Sequence, residues 1–330
     1  MDNLKSVYDR IDAPKVICAH RLPHDAVIKP YIYYLLYTSK VIVTDDYIRY
    51  LRVLRLRERQ SVVQLWHGGG MFKKICLDAP LKMPPEEERS AHIQYSALLT
   101  SSKACVPVYA KAFGVSEKIV LPYGMPRTDK LINNESKSEL KTAFFKKHPE
   151  LKGKKIISYF PTFREKDGKR IVFDPKIDFA ALDASLKDDE VFVIHRHPLV
   201  DYKLLDGEYN KVIDLSSCPS NELYCVSSLI VTDYSSIVFD ACLLGVPMLF
   251  YCPDTDSYDR DLYIDLDRDL PGKLAKTGAE LIKAISETLE NPDTARVAAF
   301  REYHMGACDG NSSRRAADLV ELFFKATPNN

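Results

Sequence analysis

Four short polar sequences in this chain each stand directly after an apolar, β-prone run. His67-Gly68-Gly69-Gly70 follows Val62–Trp66, and Pro161-Thr162-Phe163-Arg164 follows Lys155–Phe160. His195-Arg196-His197-Pro198 closes the run that begins at Val191, and Asp233-Tyr234-Ser235-Ser236 follows Leu229–Thr232. Open parallel sheets bind ligands at the carboxyl ends of their strands, so four polar motifs there point to binding more strongly than any one alone. His67 titrates near neutrality and can take a proton from a hydroxyl nucleophile. The glycines beside it permit positive φ and close approach of a ligand, and the same residues also suit an ordinary tight turn. Ser235-Ser236 opens a helix-like run. A helix N-terminus offers free N–H groups and positive potential to phosphate, although a serine there also serves as a plain N-cap.

Other spacings point less far. His195 and His197 fall on opposite faces of an extended chain, so they need not share a task. The His-x-His spacing suits metal, but no third ligand is evident. Asp254-Thr255-Asp256 and Asp265-Leu266-Asp267 have the D-x-D spacing in a stretch where aspartate is dense throughout. The expectation is neither metal nor cofactor. G-x-G-x-x-G and the P-loop are missing, which argues against a dinucleotide oxidoreductase and a P-loop kinase. The G-x-S-x-G elbow of acyl hydrolases is missing too.

The elements that must position these motifs alternate along the chain. Strands are expected at Lys15–Cys18, Val41–Thr44, Val62–Trp66, Ala97–Thr100 and Ile119–Leu121. A second series follows at Lys155–Phe160, Val191–His195, Val212–Leu215, Leu229–Thr232 and Pro247–Tyr251. Helical patterns lie between them, at Ile28–Thr38, Asp46–Arg57, Ala104–Phe113, Phe179–Leu186, Asn221–Cys225, Ser236–Leu244 and Ala279–Leu289. A polar helix over Asn133–His148, capped at Ser136, closes the first series, and Pro292–Lys325 reads as terminal helix. Such alternation predicts mostly parallel sheets covered on both faces. The 330 residues exceed one ordinary core. The expected division is residues 1–150 and 151–330, with the terminal helices packing back on the first domain.

Composition excludes other classes. Lys plus Arg and Asp plus Glu number 46 each, without the basic excess of a nucleic-acid binder. The eight cysteines are scattered and form no C-x-x-C pair, as expected of buried reduced thiols. The N-terminus lacks a signal-peptide core, and no apolar run reaches spanning length. Any membrane contact is expected from the surface. Arg49, Arg52, Arg55 and Arg59 recur at helical spacing around Tyr50–Arg59 and would give such a helix a basic face.

Together these residues resemble the CDP-glycerol glycerophosphotransferase family of teichoic-acid and capsule synthesis. The resemblance runs in order from Gln64-Leu65-Trp66-His67-Gly68, through Lys73-Lys74, to Gly124-Met125-Pro126-Arg127-Thr128-Asp129. Pro161-Thr162-Phe163-Arg164 and His197-Pro198 come next. Thr232-Asp233-Tyr234-Ser235-Ser236-Ile237-Val238-Phe239-Asp240, Tyr258-Asp259-Arg260 and Pro271-Gly272 complete it. The resemblance implies a GT-B fold of two Rossmann-like domains facing a cleft. The C-terminal domain would hold a CDP-glycerol or CDP-ribitol donor, and the N-terminal domain would face a lipid-linked saccharide or polyol-phosphate acceptor. His67 would be the general base and His197 would assist at the diphosphate. Gly68, Arg127, Pro161, Thr162, Arg164, Arg196, Thr232, Asp233, Ser235, Ser236, Asp240 and Arg260 would contact substrate. The expected partners are this donor, this acceptor and an anionic membrane surface, with no nucleic acid. The expected location is the cytoplasm, at the inner face of the membrane, and the short N-terminal domain favours a small priming or single-addition enzyme, or a capsule enzyme, over a long-chain polymerase. A UDP-sugar glycosyltransferase of the same fold and a non-catalytic nucleotide binder are the alternatives.

Overall fold

The structure is a computed structural model that describes residues 2–17, 28–81, 83–166, 169–197, 202–205, 207–255, 258 and 260–326. The chain forms two compact units. Met1–Gly70, Lys74–Asp129 and Tyr303–Asn330 make the first, and Met71–Lys73 with Lys130–Glu302 makes the second.

The first unit runs through α1 (Asp2–Tyr8), α2 (Ile28–Thr38), β1 (Val41–Thr44), β2 (Ser61–Gln64), α3 (Pro85–His92), β3 (Ala97–Leu99), α4 (Cys105–Phe113) and β4 (Val120–Leu121). Its strands lie in the order β1-β2-β3-β4, all parallel, with Val41 opposite Ser61 and Leu98 opposite Val120. Val62 and Val63 are wholly buried, as the near-continuous apolar runs of covered parallel strands require.

The second unit begins with α5 (Asp129–Ile132) and α6 (Asn134–Lys147), then β5 (Lys155–Phe160), the hairpin β6 (Arg164–Lys166) and β7 (Lys169–Ile171), and α7 (Phe179–Ser185). It continues through β8 (Glu190–Ile194), β9 (Val212–Asp214), α8 (Ser220–Val226), β10 (Ser227–Thr232), α9 (Ile237–Leu244), β11 (Met248–Tyr251), β12 (Gly272–Ala275) and α10 (Gly278–Glu290). The parallel sheet has the order β12-β11-β10-β5-β8-β9. The first strand, β5, sits centrally, with the second and third on one side and the fourth to sixth on the other. That is the Rossmann order, and its switch point lies between β5 and β10. Gly272 is required where β12 meets β11, since a Cβ there would strike the Met248 carbonyl.

α11 (Thr294–Met305) leads back to the first unit and α12 (Ser312–Ala326) completes that unit's core. Ala316, Ala317, Leu319 and Val320 pack with Val63, Leu65, Ala97 and Leu99 of the sheet and with Val7 and Ile11 at the N-terminus. Asp129 anchors the head of α12, its carboxylate accepting from the amides of Ser312 at 3.0 Å and Ser313 at 2.8 Å. Gly124, at φ 82°, passes so close to Ser312 and the Ala307 carbonyl that no side chain fits. The Gly124-to-Asp129 motif therefore ties the C-terminal segment to the first unit.

Several expectations are corrected. The division falls at residues 129/130 rather than 150, because α6 buries Phe144 and pairs Lys147 with Glu222 of α8. The cap of α6 is Asn133, whose side chain accepts from the Ser136 amide, and not Ser136 itself. Residues 15–17 form no strand, and Cys18 lies outside the described residues. The terminal stretch breaks into two helices. The pattern over Asp46–Arg57 yields only a 3₁₀ turn, Arg49–Arg52. The Gln94 side chain accounts for this, since it donates to the Leu51 and Leu54 carbonyls and accepts from the Leu56 amide. A side chain has taken the partners a helix would need. Arg52, Arg55 and Arg59 thus share no helical face.

Candidate functional site

In the second unit, the ends of β5 and β10 meet through side chains. The buried Asp233 carboxylate accepts from the Thr162 amide, at 3.1 Å to each oxygen, and from the Thr162 hydroxyl at 3.1 Å. Arg164 donates to Asp233 at 2.9 Å and grips Asp254 at 2.6 and 3.1 Å. It also donates to the Thr162 carbonyl and hydroxyl. The guanidinium lies 4.1 Å from the Phe173 ring centre and 5.1 Å from that of Tyr234. Burial pulls its pKa down, but hydrogen bonds to Asp254 and the charges of Asp233 and Asp254 win, and the net shift is upward. One guanidinium between two carboxylates ties the loop after β5 to those after β10 and β11. Thr162 and Asp233 belong to the same tie, and Thr232 donates to the Phe160 carbonyl at 2.8 Å to lock β10 to β5.

The groups left toward solvent are different ones. Ser235 is half-buried, one residue ahead of the N-cap of α9, and accepts from the Ile237 amide at 3.3 Å. Ser236 is exposed, and its side chain makes no capping bond. His197 is half-buried, its ring 5.0 Å from that of Phe163 in the loop after β5. Arg260 is exposed, Pro161 is buried, and Asp240 is buried in the first turn of α9. Arg196 is bound to Asp214 and Ser216 and to the Tyr202 carbonyl, which fixes the loop instead of facing out. His195 turns inward to the Cys218 carbonyl at 2.8 Å, so the two histidines do part company. Sequence reasoning placed Tyr258 and Lys73 in the family resemblance without giving either a role; Tyr258 stacks on Tyr234 at 3.6 Å, and Lys73 lies 5.5 Å from the Tyr258 ring centre. It also set aside Asp254 as part of a chance pattern; no local signal marks a residue whose partner stands 90 positions away.

In the first unit, β2 ends in an unusual turn. Trp66 has φ 54°, a region costly for a bulky side chain. Its amide donates to the Gln64 side-chain oxygen at 2.9 Å, and its carbonyl accepts from Asn3 at 2.7 Å. Tyr109 donates its hydroxyl to the Gly68 and Gly70 carbonyls. The turn presents His67 with its side chain 58% exposed, 4.3 Å from the Trp66 ring. Nδ1 of His67 lies 3.1 Å from the Asp45 carbonyl oxygen, which can only accept. Nδ1 therefore carries a proton, and in the neutral ring Nε2 keeps the lone pair a general base needs. Arg127 is half-buried, and its amide donates to the Asn3 side chain at 2.8 Å.

Among the described residues, Cys76, Glu88 and His92 bring ligand atoms within 4.8 Å of one another. This trio has the donor types for a divalent ion, yet its histidine is already bonded at both nitrogens, to the Tyr95 hydroxyl at 3.1 Å and to Glu88 at 3.2 Å. Seven described cysteines are free thiols and all but Cys76 are buried. No described helix is long and apolar enough to cross a membrane.

Two parallel-sheet units, the second in Rossmann order, define an α/β protein of the GT-B class. The match to the family of CDP-glycerol:poly(glycerophosphate) glycerophosphotransferases covers residues 15–322. The chain belongs to that family and is an enzyme of its transferase class. It is 35% identical over 304 residues to the teichoic acid ribitol-phosphate primase of Bacillus spizizenii, covering 88% of this chain and 77% of the primase. It is 34% identical to the poly(ribitol-phosphate) polymerase of the same organism, spanning 86% of this chain but 46% of the polymerase. The structure of the wall teichoic acid polymerase TagF soaked with CDPG superimposes at a TM-score of 0.72, with 27% identity, over 87% of this chain and 73% of that one.

Proposed function

We propose that this enzyme transfers glycerol phosphate or ribitol phosphate from a CDP-polyol to a hydroxyl of a lipid-linked or polymeric teichoic-acid acceptor. The observation that carries the reading is the second unit's switch point. There Asp233, Arg164 and Thr162 brace one another, and beside them Ser235, Ser236 and the head of α9 offer donors that would suit phosphate. The soak of TagF with CDPG supports a cytidine donor for this chain as well. The acceptor oxygen attacks the phosphorus that bears the polyol, the bond from that phosphorus to the bridging oxygen breaks, and CMP leaves. Nε2 of His67 takes the hydroxyl proton. His197 and the α9 amides stabilise charge on the diphosphate, and such preorganised donors commonly supply the largest part of phosphoryl-transfer catalysis. The test measures nucleotide release with CDP-glycerol, CDP-ribitol and UDP-sugars in the presence of lipid-linked acceptor. CMP release is expected. UDP release without CMP would overturn the reading in favour of a glycosyltransferase.

An anionic membrane is the proposed surface on which the acceptor is met. With the arginine helix corrected, the support passes to α2, where Tyr31, Tyr34 and Tyr37 stand 50–62% exposed at three-residue steps. Arg57 lies over the Tyr37 ring at 5.2 Å. Tyrosines favour the membrane–water boundary, and arginines are drawn to anionic headgroups. Replacing the three tyrosines by serine is expected to reduce co-sedimentation with anionic vesicles. Unchanged binding would remove α2 from this role.

A further inference from the structure

Gln64, at the end of β2, is wholly buried, and its side chain bonds in three directions. Its oxygen accepts from the Trp66 amide at 2.9 Å, and its nitrogen donates to the Asp46 carbonyl and to the Tyr95 hydroxyl, each at 3.1 Å. Because one partner is an amide and another a carbonyl, the orientation of the Gln64 amide is fixed. The proton arrangement of everything beyond it then follows. The Tyr95 oxygen accepts from Gln64, so its own proton goes to Nδ1 of His92, 3.1 Å away. Nδ1 of His92 is therefore the acceptor and Nε2 carries the ring proton, which it donates to Glu88 at 3.2 Å. His92, Glu88 and Tyr95 are all buried. A divalent ion on Cys76, Glu88 and His92 would displace the proton on Nε2 and require one on Nδ1, leaving the Tyr95 proton without its acceptor inside the core.

The chain ends at both sides of His67. Trp66, held by the Gln64 oxygen, carries His67. The Asp45-Asp46 turn, held by the Gln64 nitrogen, supplies the carbonyl that accepts from Nδ1 of His67. We infer that Gln64, oriented by Tyr95, His92 and Glu88, is the positioning residue that fixes the orientation and tautomer of His67. The inference rests on the reading of His67 as base. Hydrogen-bonded partners of this kind hold a functional imidazole in one ring state even though they never touch substrate.

Tyr95→Phe removes only the hydroxyl that links His92 to Gln64, and Gln64→Glu keeps the bond to Trp66 while ending donation to Asp46. Two readouts are taken on each folded variant. The first is the ring ¹⁵N spectrum of His67, identified by its loss in His67→Ala, which reports the tautomer without substrate. The second is the steady-state profile with CDP-polyol. A single Nδ1–H form is expected in the parent and a mixture of tautomers in the variants. Turnover is expected to fall roughly 10- to 100-fold, the usual cost of a slightly misplaced group, with donor KM little changed. That loss is expected to vanish when Tyr95→Phe is added to His67→Ala, because coupled residues are not additive. An unchanged tautomer and unchanged turnover in a folded Tyr95→Phe protein would overturn the inference. If His67→Ala itself turns over normally, the base reading fails instead, and the ¹⁵N spectrum still decides whether the chain orients the ring.

Discussion

The two units solve the same problem, a polar loop after a parallel strand, by opposite means. In the second unit the loop after β5 is held by charge, with Arg164 between Asp233 and Asp254. In the first unit the loop after β2 is held by Gln64, Tyr95 and a histidine whose pKa is lowered by burial. A buried ion pair gives up several kcal/mol of hydration per ion, so breaking it from one side is costly. A neutral chain gives up less and is correspondingly softer. The charged loop is thus the stiffer frame, and the neutral one leaves His67 exposed.

That contrast is most sharply tested at Arg164. Arg164→Ala strands Asp233 in the core, and a loss of about 3–5 kcal/mol is expected by denaturant unfolding of the second unit. A loss below about 1 kcal/mol would show that the charge frame is not holding the loop. His67→Ala is next. It is expected to leave stability alone and to lower turnover at least about 100-fold, with donor affinity nearly intact. Ser235→Ala with Ser236→Ala should weaken CDP-polyol binding by roughly 1 kcal/mol per lost bond and cytidine binding much less. Equal losses in calorimetry would reduce the pair to a structural cap. The smallest effect is a pH slope. Burial lowers the His92 pKa, against the opposing pull of Glu88, while Tyr95, Cys76 and Tyr47 face the same ring without charge. The unfolded chain then binds a proton more readily than the folded one. Stability is full above the ordinary histidine pKa of about 6.5 and falls as pH drops below it, by at most about 1.4 kcal/mol per pH unit. His92→Gln should remove that slope, which unfolding curves across this range would register.

Much of this was legible in the sequence, and what was not has physical causes. Strands such as Lys155–Phe160 are runs whose burial on both faces leaves little choice of residue. The motifs at strand ends were visible because glycine, proline and histidine punctuate the chain where apolar runs stop. What no local pattern shows is which polar residue faces another. The bond from Arg164 to Asp254, 90 residues on, was invisible for that reason. The helix expected over Asp46–Arg57 failed because Gln94, some forty residues on, claims its carbonyls. Gln64 stood in an expected strand and Tyr95 in no expected element, and neither showed its part for the same reason, as their meaning lies in a contact 31 positions apart.

The discontinuity of the first unit bears on how the protein is made. Residues 130–302 emerge from the ribosome as a nearly complete unit, whereas the sheet of residues 41–121 has only Val7 and Ile11 beside Val63, Leu65 and Leu99 until α12 has been translated. Synthesis normally lets the N-terminal domain settle first. Here the first unit is complete only after the residues of the second have been made. The second half of the chain can close while the first waits with an open apolar face, and the last fifteen-residue helix is the step that makes the N-terminal half a folded object.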